Sequence, residues 1–97
     1  MTTPESKLKR SLKNILNDRG AYWCAVAEGA YAKPGDPDII VCYKGKFIGI
    51  EAKTYEGSQS QWQKLRERMI TKAGGIYLIV RSPEDVIRML DAIDELR

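Results

Sequence analysis

The 97-residue sequence contains no histidine. That absence removes Ser-His-Asp and Cys-His triads, imidazole general bases and His-containing zinc sites, so any chemistry must run on carboxylates, lysine and hard metal ions. Cysteine is nearly as scarce. Cys24 and Cys42 stand alone, without C-x-x-C spacing, and read as buried free thiols rather than as a disulfide or a zinc pair. Long apolar runs are missing as well: the longest, Ile39 to Cys42 and Ile76 to Val80, fall far short of the roughly 20 residues that span a bilayer, so no membrane partner is expected. Lys7, Lys9, Arg10 and Lys13 alternate with Leu8 and Leu12 with no apolar stretch behind them, which does not read as a secretory signal and makes the cytoplasm the expected location. No repeat, low-complexity tract or linker divides the chain, and residues 1–97 read as one domain.

What is present is ordinary globular material, 43% apolar and 30% charged, with an uneven distribution of charge. Residues 84–97 hold five acids against two arginines, a net −3, which leaves +6 on the remainder of a chain whose formal charge is +3. A basic excess of that size suits a phosphate-bearing partner.

Local signals place the elements in the order αβββαβα, an α/β domain. Thr3-Pro4-Glu5 offers an N-cap and a first-turn proline, and Leu8, Leu12, Ile15 and Leu16 recur at helical spacing up to a stop at Gly20. Tyr22 to Ala27 reads as a strand and Glu28 to Gly35 as a loop. Asp38 to Tyr43 and Lys46 to Lys53 flank Lys44-Gly45 as a hairpin. Ser58 to Ser60 opens a second helix through about Ala73, with Trp62, Leu65, Met69 and Ala73 on one face. Ile76 to Val80 reads as a strand buried on both faces, and Ser82-Pro83-Glu84-Asp85 opens a last helix striped by Val86, Ile87, Leu90 and Ile93.

A hairpin turning symmetrically on Lys44-Gly45 sets Val41 opposite Ile48 and Asp38 opposite Glu51, and the two-residue alternation of a strand brings Lys53 onto the face of Glu51. Two opposed carboxylates repel unless one is protonated or a cation lies between them. A hard divalent cation resolves the conflict, since Mg²⁺ takes one or two carboxylates with waters and substrate phosphate, and the Ala52 carbonyl is available as a further ligand. Lys53 then lies beside an attacking water or the phosphate. The expected reaction is metal-assisted phosphodiester hydrolysis, with Asp38, Glu51 and Lys53 at its centre. The competing expectation is a module that binds nucleic acid without cleaving it.

Gly35-Asp36-Pro37-Asp38, twelve intervening residues and Glu51-Ala52-Lys53 resemble the PD-(D/E)XK nuclease signature. With Glu5 opening the first helix, Gly57 and Gln63 after the Glu-x-Lys strand, Ala73-Gly74-Gly75 and Val80-Arg81-Ser82-Pro83-Glu84-Asp85, nearly the whole chain resembles the virus-type replication-repair nuclease, or VRR-NUC, domain. Asp36 departs from the more usual apolar residue, and Ala52 from the common aliphatic one. The resemblance implies a restriction-endonuclease-like fold with a central mixed sheet flanked by helices, and Mg²⁺ or Mn²⁺ as cofactor. It also implies a DNA substrate, branched or flapped, such as a four-way junction, and a homodimer working in phage or bacterial replication and repair. Gln63 would be the family's helical glutamine, yet Ser60-Gln61-Trp62-Gln63 equally fits a capping box, and Gln59 and Gln61 remain substitutes. Glu5 points within about 80° of the apolar stripe of its helix, which favours a further metal-site acid over a residue that only complements the helix dipole.

Overall fold

The computed structural model describes residues 3–26, 33–54 and 58–96. The expected element order is found: α1 (Pro4–Asp18), β1 (Tyr22–Ala25), β2 (Ile39–Tyr43), β3 (Lys46–Ala52), α2 (Gln61–Lys72), β4 (Ile76–Val80) and α3 (Pro83–Glu95). The strands form one mixed sheet in the order β1-β2-β3-β4, antiparallel except for the β3–β4 pair, whose parallel course is made possible by the α2 crossover. Residues 27–32 and Gly57, which include most of the expected loop after β1, lie outside the described residues.

Turn chemistry sets the register. Lys44 and Gly45 hold φ of 49° and 83°, the two positive values that a tight type I′ hairpin requires, and the ladder pairs Tyr43 with Lys46, Val41 with Ile48 and Ile39 with Ile50 as read from sequence. The turn is also tied down chemically. Asp94 of α3 accepts hydrogen bonds from the Lys44 ammonium, the Tyr43 hydroxyl and Arg19, which hold its carboxyl down near a pKa of about 2.

Strand alternation then divides the sheet into two unlike faces. Ile39, Val41, Tyr43, Ile48, Ile50, Ala52 and Val80 point to one side and pack with Leu8, Leu12 and Leu16 of α1 and Val86, Leu90 and Ile93 of α3 in a single core cluster. Met89 is buried in α3, and Ile87, expected in the stripe, is exposed. The strand β4 is only half-buried at Ile76, Leu78 and Ile79, because it is the sheet's edge and not a central strand.

The other face carries α2, and here the helical face differs from the one expected. No residue of α2 is fully buried; of the expected face Leu65 is half-buried, but Trp62, Met69 and Ala73 are exposed, and Gln63, Arg66, Glu67 and Ile70 fill the rest of the half-buried stripe. A helix laid over a polar site turns polar residues inward. Cys24 and Cys42 share the half of this face that α2 leaves open, so both thiols are free and exposed, not buried. Between that open half and α2 runs an apolar groove of about 530 Å³, lined by Val26, Pro37, Ile40, Phe47, Met69 and Ile70.

Candidate active site

Gly35-Asp36-Pro37-Asp38 fixes the first acid by touching two elements at once. Gly35 holds φ +85°, and a Cβ there would lie 2.3 Å from the backbone oxygen of Trp62, so only glycine lets this turn rest on the first turn of α2. Asp36 accepts from the Lys33 N–H at 3.0 Å and pairs with Arg66 Nε of α2 at 3.2 Å, which accounts for an acid at this position of the motif. Pro37 is buried against Gly49 of β3, where an added Cβ would come 2.6 Å from the proline Cγ. Gly35→Ala is expected to cost about 2 kcal/mol or more, or some 8–16 °C of melting temperature, because the obstructing atom is backbone. Gly20→Ala, at φ +75° but with nothing within 4 Å of its Cβ, is expected to cost only about 1 kcal/mol. Equal melting temperatures for the two variants would show that the contact with α2 does not limit this turn.

Asp38 is held on three sides. Its N–H donates to the Ile50 carbonyl at 2.8 Å, its carbonyl accepts from Val26 at 2.9 Å, and its Oδ2 accepts from the Ala52 N–H at 2.9 Å. The regular ladder ends at Ile39–Ile50, so Asp38 bends out of the strand one step before the direct opposition to Glu51 that the hairpin symmetry predicted. The Lys53 N–H turns the other way, to the Val80 carbonyl at 2.9 Å, and peptide groups alternate along a strand, so the Ala52 carbonyl is on the Asp38 edge of β3.

Glu51 stands on the α2 side of β3. Its Oε1 accepts from Gln63 Nε2 at 3.0 Å, while Gln63 Oε1 accepts from the Ser60 N–H at 3.0 Å and the Gln63 N–H donates to Ser60 Oγ at 3.1 Å. The capping-box reading of Gln63 is met: its amide oxygen closes the capping box of α2, and its amide nitrogen is thereby aimed at Glu51. Gln59 is engaged elsewhere, with Glu67 at 3.1 Å. Burial, and secondarily the charge of Asp38, pushes the Glu51 carboxyl up to a pKa of about 7, with Lys53 and Lys9 pulling the other way. Tyr77, the register partner of Gly49, adds a buried wall to the same face; its hydroxyl is pushed well above the usual phenol range by burial and by the charge of Glu51.

Lys53 shares the face of Glu51 by alternation and is half-buried. Glu5 is placed differently from expectation: its side chain is 51% exposed, because the apolar stripe of α1 meets the core only from Leu8 onward. It is joined to the acids through Lys9, whose Nζ lies 3.8 Å from Glu5 Oε2 and 3.7 Å from Asp38 Oδ1. The sequence sets Lys9 apart from its basic neighbours only by its i, i+4 spacing from Glu5.

The donor set suits a hard divalent cation. Two half-buried carboxylates, one of them with a strongly raised pKa, and a backbone carbonyl on their edge supply oxygen ligands and negative charge of the kind a hard divalent cation takes. Among the described residues no group of three or more His, Cys, Asp and Glu side chains converges, so the fit is to an ion that keeps several waters, not to an all-protein cage.

With this geometry in place, comparison with solved structures identifies the architecture as the VRR-NUC fold. A chain described as "VRR_NUC domain" superposes with a TM-score of 0.73 at 22% identity, over 93% of this chain and 97% of that one. The likeness is one of fold, and it is the fold the motif order implied. No protein-family model and no curated protein matches the sequence.

Proposed function

We propose that the chain is a metal-dependent DNA endonuclease that hydrolyses phosphodiester bonds, with Asp38, Glu51 and the Ala52 carbonyl as metal ligands, Lys53 and Gln63 completing the reacting centre and Glu5 an outlying acid. The observation that carries this reading is the half-buried Asp38–Glu51 pair at the end of the hairpin, with Lys53 on the same face and Gln63 held on Glu51. A structural surface gains nothing from acids forced together out of water. When bound, Mg²⁺ or Mn²⁺ would polarise the phosphate and acidify the attacking water. The chain's own residues do the rest. Lys53, whose ammonium forms no hydrogen bond or ion pair among the described residues, offers it to the water and to charge developing on the phosphate. Gln63, fixed by its capping box, keeps Glu51 oriented. The +6 outside residues 84–97 attracts the DNA backbone.

The preferred substrate in this reading is branched or flapped DNA, including four-way junctions, met during phage or bacterial replication and repair in the cytoplasm, and the working form is a homodimer with two symmetric sites. The fold likeness supports a nuclease acting on DNA, and the apolar groove beside α2 is a surface a second copy would cover. One experiment tests both points: plasmid, single-stranded, flapped and four-way-junction DNA incubated with Mg²⁺, Mn²⁺ or chelator, using protein whose mass has been measured by light scattering. Cleavage is expected only with metal, fastest on the branched substrates, from a protein of dimer mass. DNA binding without cleavage in any metal would make the chain a binding module, and full activity from a monomer would remove the dimer.

A further inference from the structure

Asp38 uses its two oxygens differently. Oδ2 is occupied by the Ala52 N–H, and Oδ1 is the oxygen left for a metal ion; the cation found against it is Lys9, at 3.7 Å. Lys9 belongs to α1, whose only other residue in the proposed site is Glu5, and reaches across to the strand end with its side chain 28% exposed beside an Asp38 that is 23% exposed. Glu5, one helical turn before it, flanks the same ammonium at 3.8 Å. Both separations exceed hydrogen-bonding range, so the ammonium is held by charge alone and no directional bond must be broken to move it. We infer that Lys9 is a resident counter-ion of the metal site: it neutralises the metal-facing oxygen of Asp38 in the metal-free protein, is displaced from it by the divalent cation, and remains tethered by Glu5 at the rim.

The inference rests on the nuclease reading and adds to it a positioning residue on α1 with a defined thermodynamic signature. An ammonium on Asp38 Oδ1 competes with the metal for the same oxygen, so removing it strengthens metal binding even as it leaves the metal-free acids less well balanced. A surface ion pair with no connection to the site would do neither. The arrangement also gives Glu5 a use that its exposure permits, since a tether for Lys9 need not be buried. Glu5→Gln removes the acid that holds the displaced ammonium, together with a negative charge near the ion, and should weaken metal binding by a smaller factor.

The test is calorimetric titration of Mn²⁺ into the full chain without DNA, paired with thermal melts in chelator. Lys9→Met, which keeps the aliphatic length and removes the charge, is expected to bind Mn²⁺ roughly five- to tenfold more tightly than the unaltered protein and to melt lower in chelator. Lys9→Gln is expected to repeat the result, and Lys13→Met, which loses a cation over the Trp23 ring one turn away, is expected to leave the Mn²⁺ affinity unchanged. Asp38→Asn separates the two layers of argument. If the unaltered protein binds Mn²⁺ and Asp38→Asn abolishes it, the metal site stands, and unchanged or weakened binding in folded Lys9→Met and Lys9→Gln overturns the role of Lys9 alone. If the unaltered protein binds no Mn²⁺, both the metal site and the counter-ion fall together.

Discussion

Asp38→Asn and Lys53→Ala are each expected to lower DNA cleavage by about 10²–10⁴-fold while the protein stays folded. The Asn substitution isolates chemistry from architecture. Its amide oxygen can still accept from the Ala52 N–H, so the strand end keeps its hydrogen bond, while the oxygen facing the metal is replaced by a donor. Asp38→Ala makes the complementary case. Ala52 is 1% exposed, and its N–H would be left without an acceptor, at a cost of about 1–3 kcal/mol. Both Asp38 variants should therefore be inactive, but only the alanine variant should melt markedly lower. Lys53→Ala removes an ammonium that holds no structural partner among the described residues, and its melting temperature should remain close to that of the parent. Single-turnover cleavage with circular dichroism melts measures both quantities, and normal cleavage by folded Asp38→Asn would remove Asp38 from the reacting centre.

The second large effect is one of pH and stability in the metal-free protein. The Glu51 carboxyl has a folded-state pKa of about 7 against an ordinary value near 4.5, so between those values the folded protein holds a proton that the unfolded chain gives up. The favourable contribution is complete below pH 4.5 and is lost as pH rises through about 7, where the ionised group bears its burial and the repulsion of Asp38. Allowing for solvent that still reaches the carboxyl, roughly 1–2 kcal/mol is at stake, or about 4–16 °C of melting temperature. Glu51→Gln is expected to melt higher than the parent at pH 8 in chelator and alike at pH 5, since its amide oxygen still accepts from Gln63. Adding Mg²⁺ at pH 8 should raise only the parent. The carboxyls of Asp94 and Asp85, held low by their hydrogen bonds, contribute stability that is lost only as pH falls below the ordinary carboxylate range, outside this window. A parent melting temperature flat from pH 5 to 8 would show that Glu51 is not under this strain.

Much of this was readable because the hairpin is specified locally. Two turn residues with positive φ set a register in which every pair follows from the first, and the same alternation sorts Ile48 and Ile50 to the core and Glu51 to the site. The core faces of α1 and α3 followed from 3.6-residue periodicity because both helices meet an apolar layer. The same rule held only at Leu65 in α2, whose inward partners include Glu51 and Asp36; there half-buried positions went to Gln63, Arg66 and Glu67, and Trp62 and Met69 were left outside. Lys9 and Asp38, 29 positions apart in the chain, meet only because α1 ends its reach over the strand terminus, a relation that no local pattern encodes.

The absence of any fully buried residue in α2 bears on how the molecule breathes. Protection of amide protons against exchange follows the apolar surface that an opening must expose, and α2 exposes little compared with α1 or α3. The crossover is thus expected to open more readily than α1 or α3. When it lifts, Gln63 leaves Glu51, Arg66 leaves Asp36 and the Gly35 turn loses its floor in one event. The hairpin with Asp38, Glu51 and Lys53 remains on the core beneath. The centre is in this sense two cooperative units, a permanent anionic ledge and a removable roof, and exchange rates of the α2 amides report directly on the fraction of molecules with the roof in place.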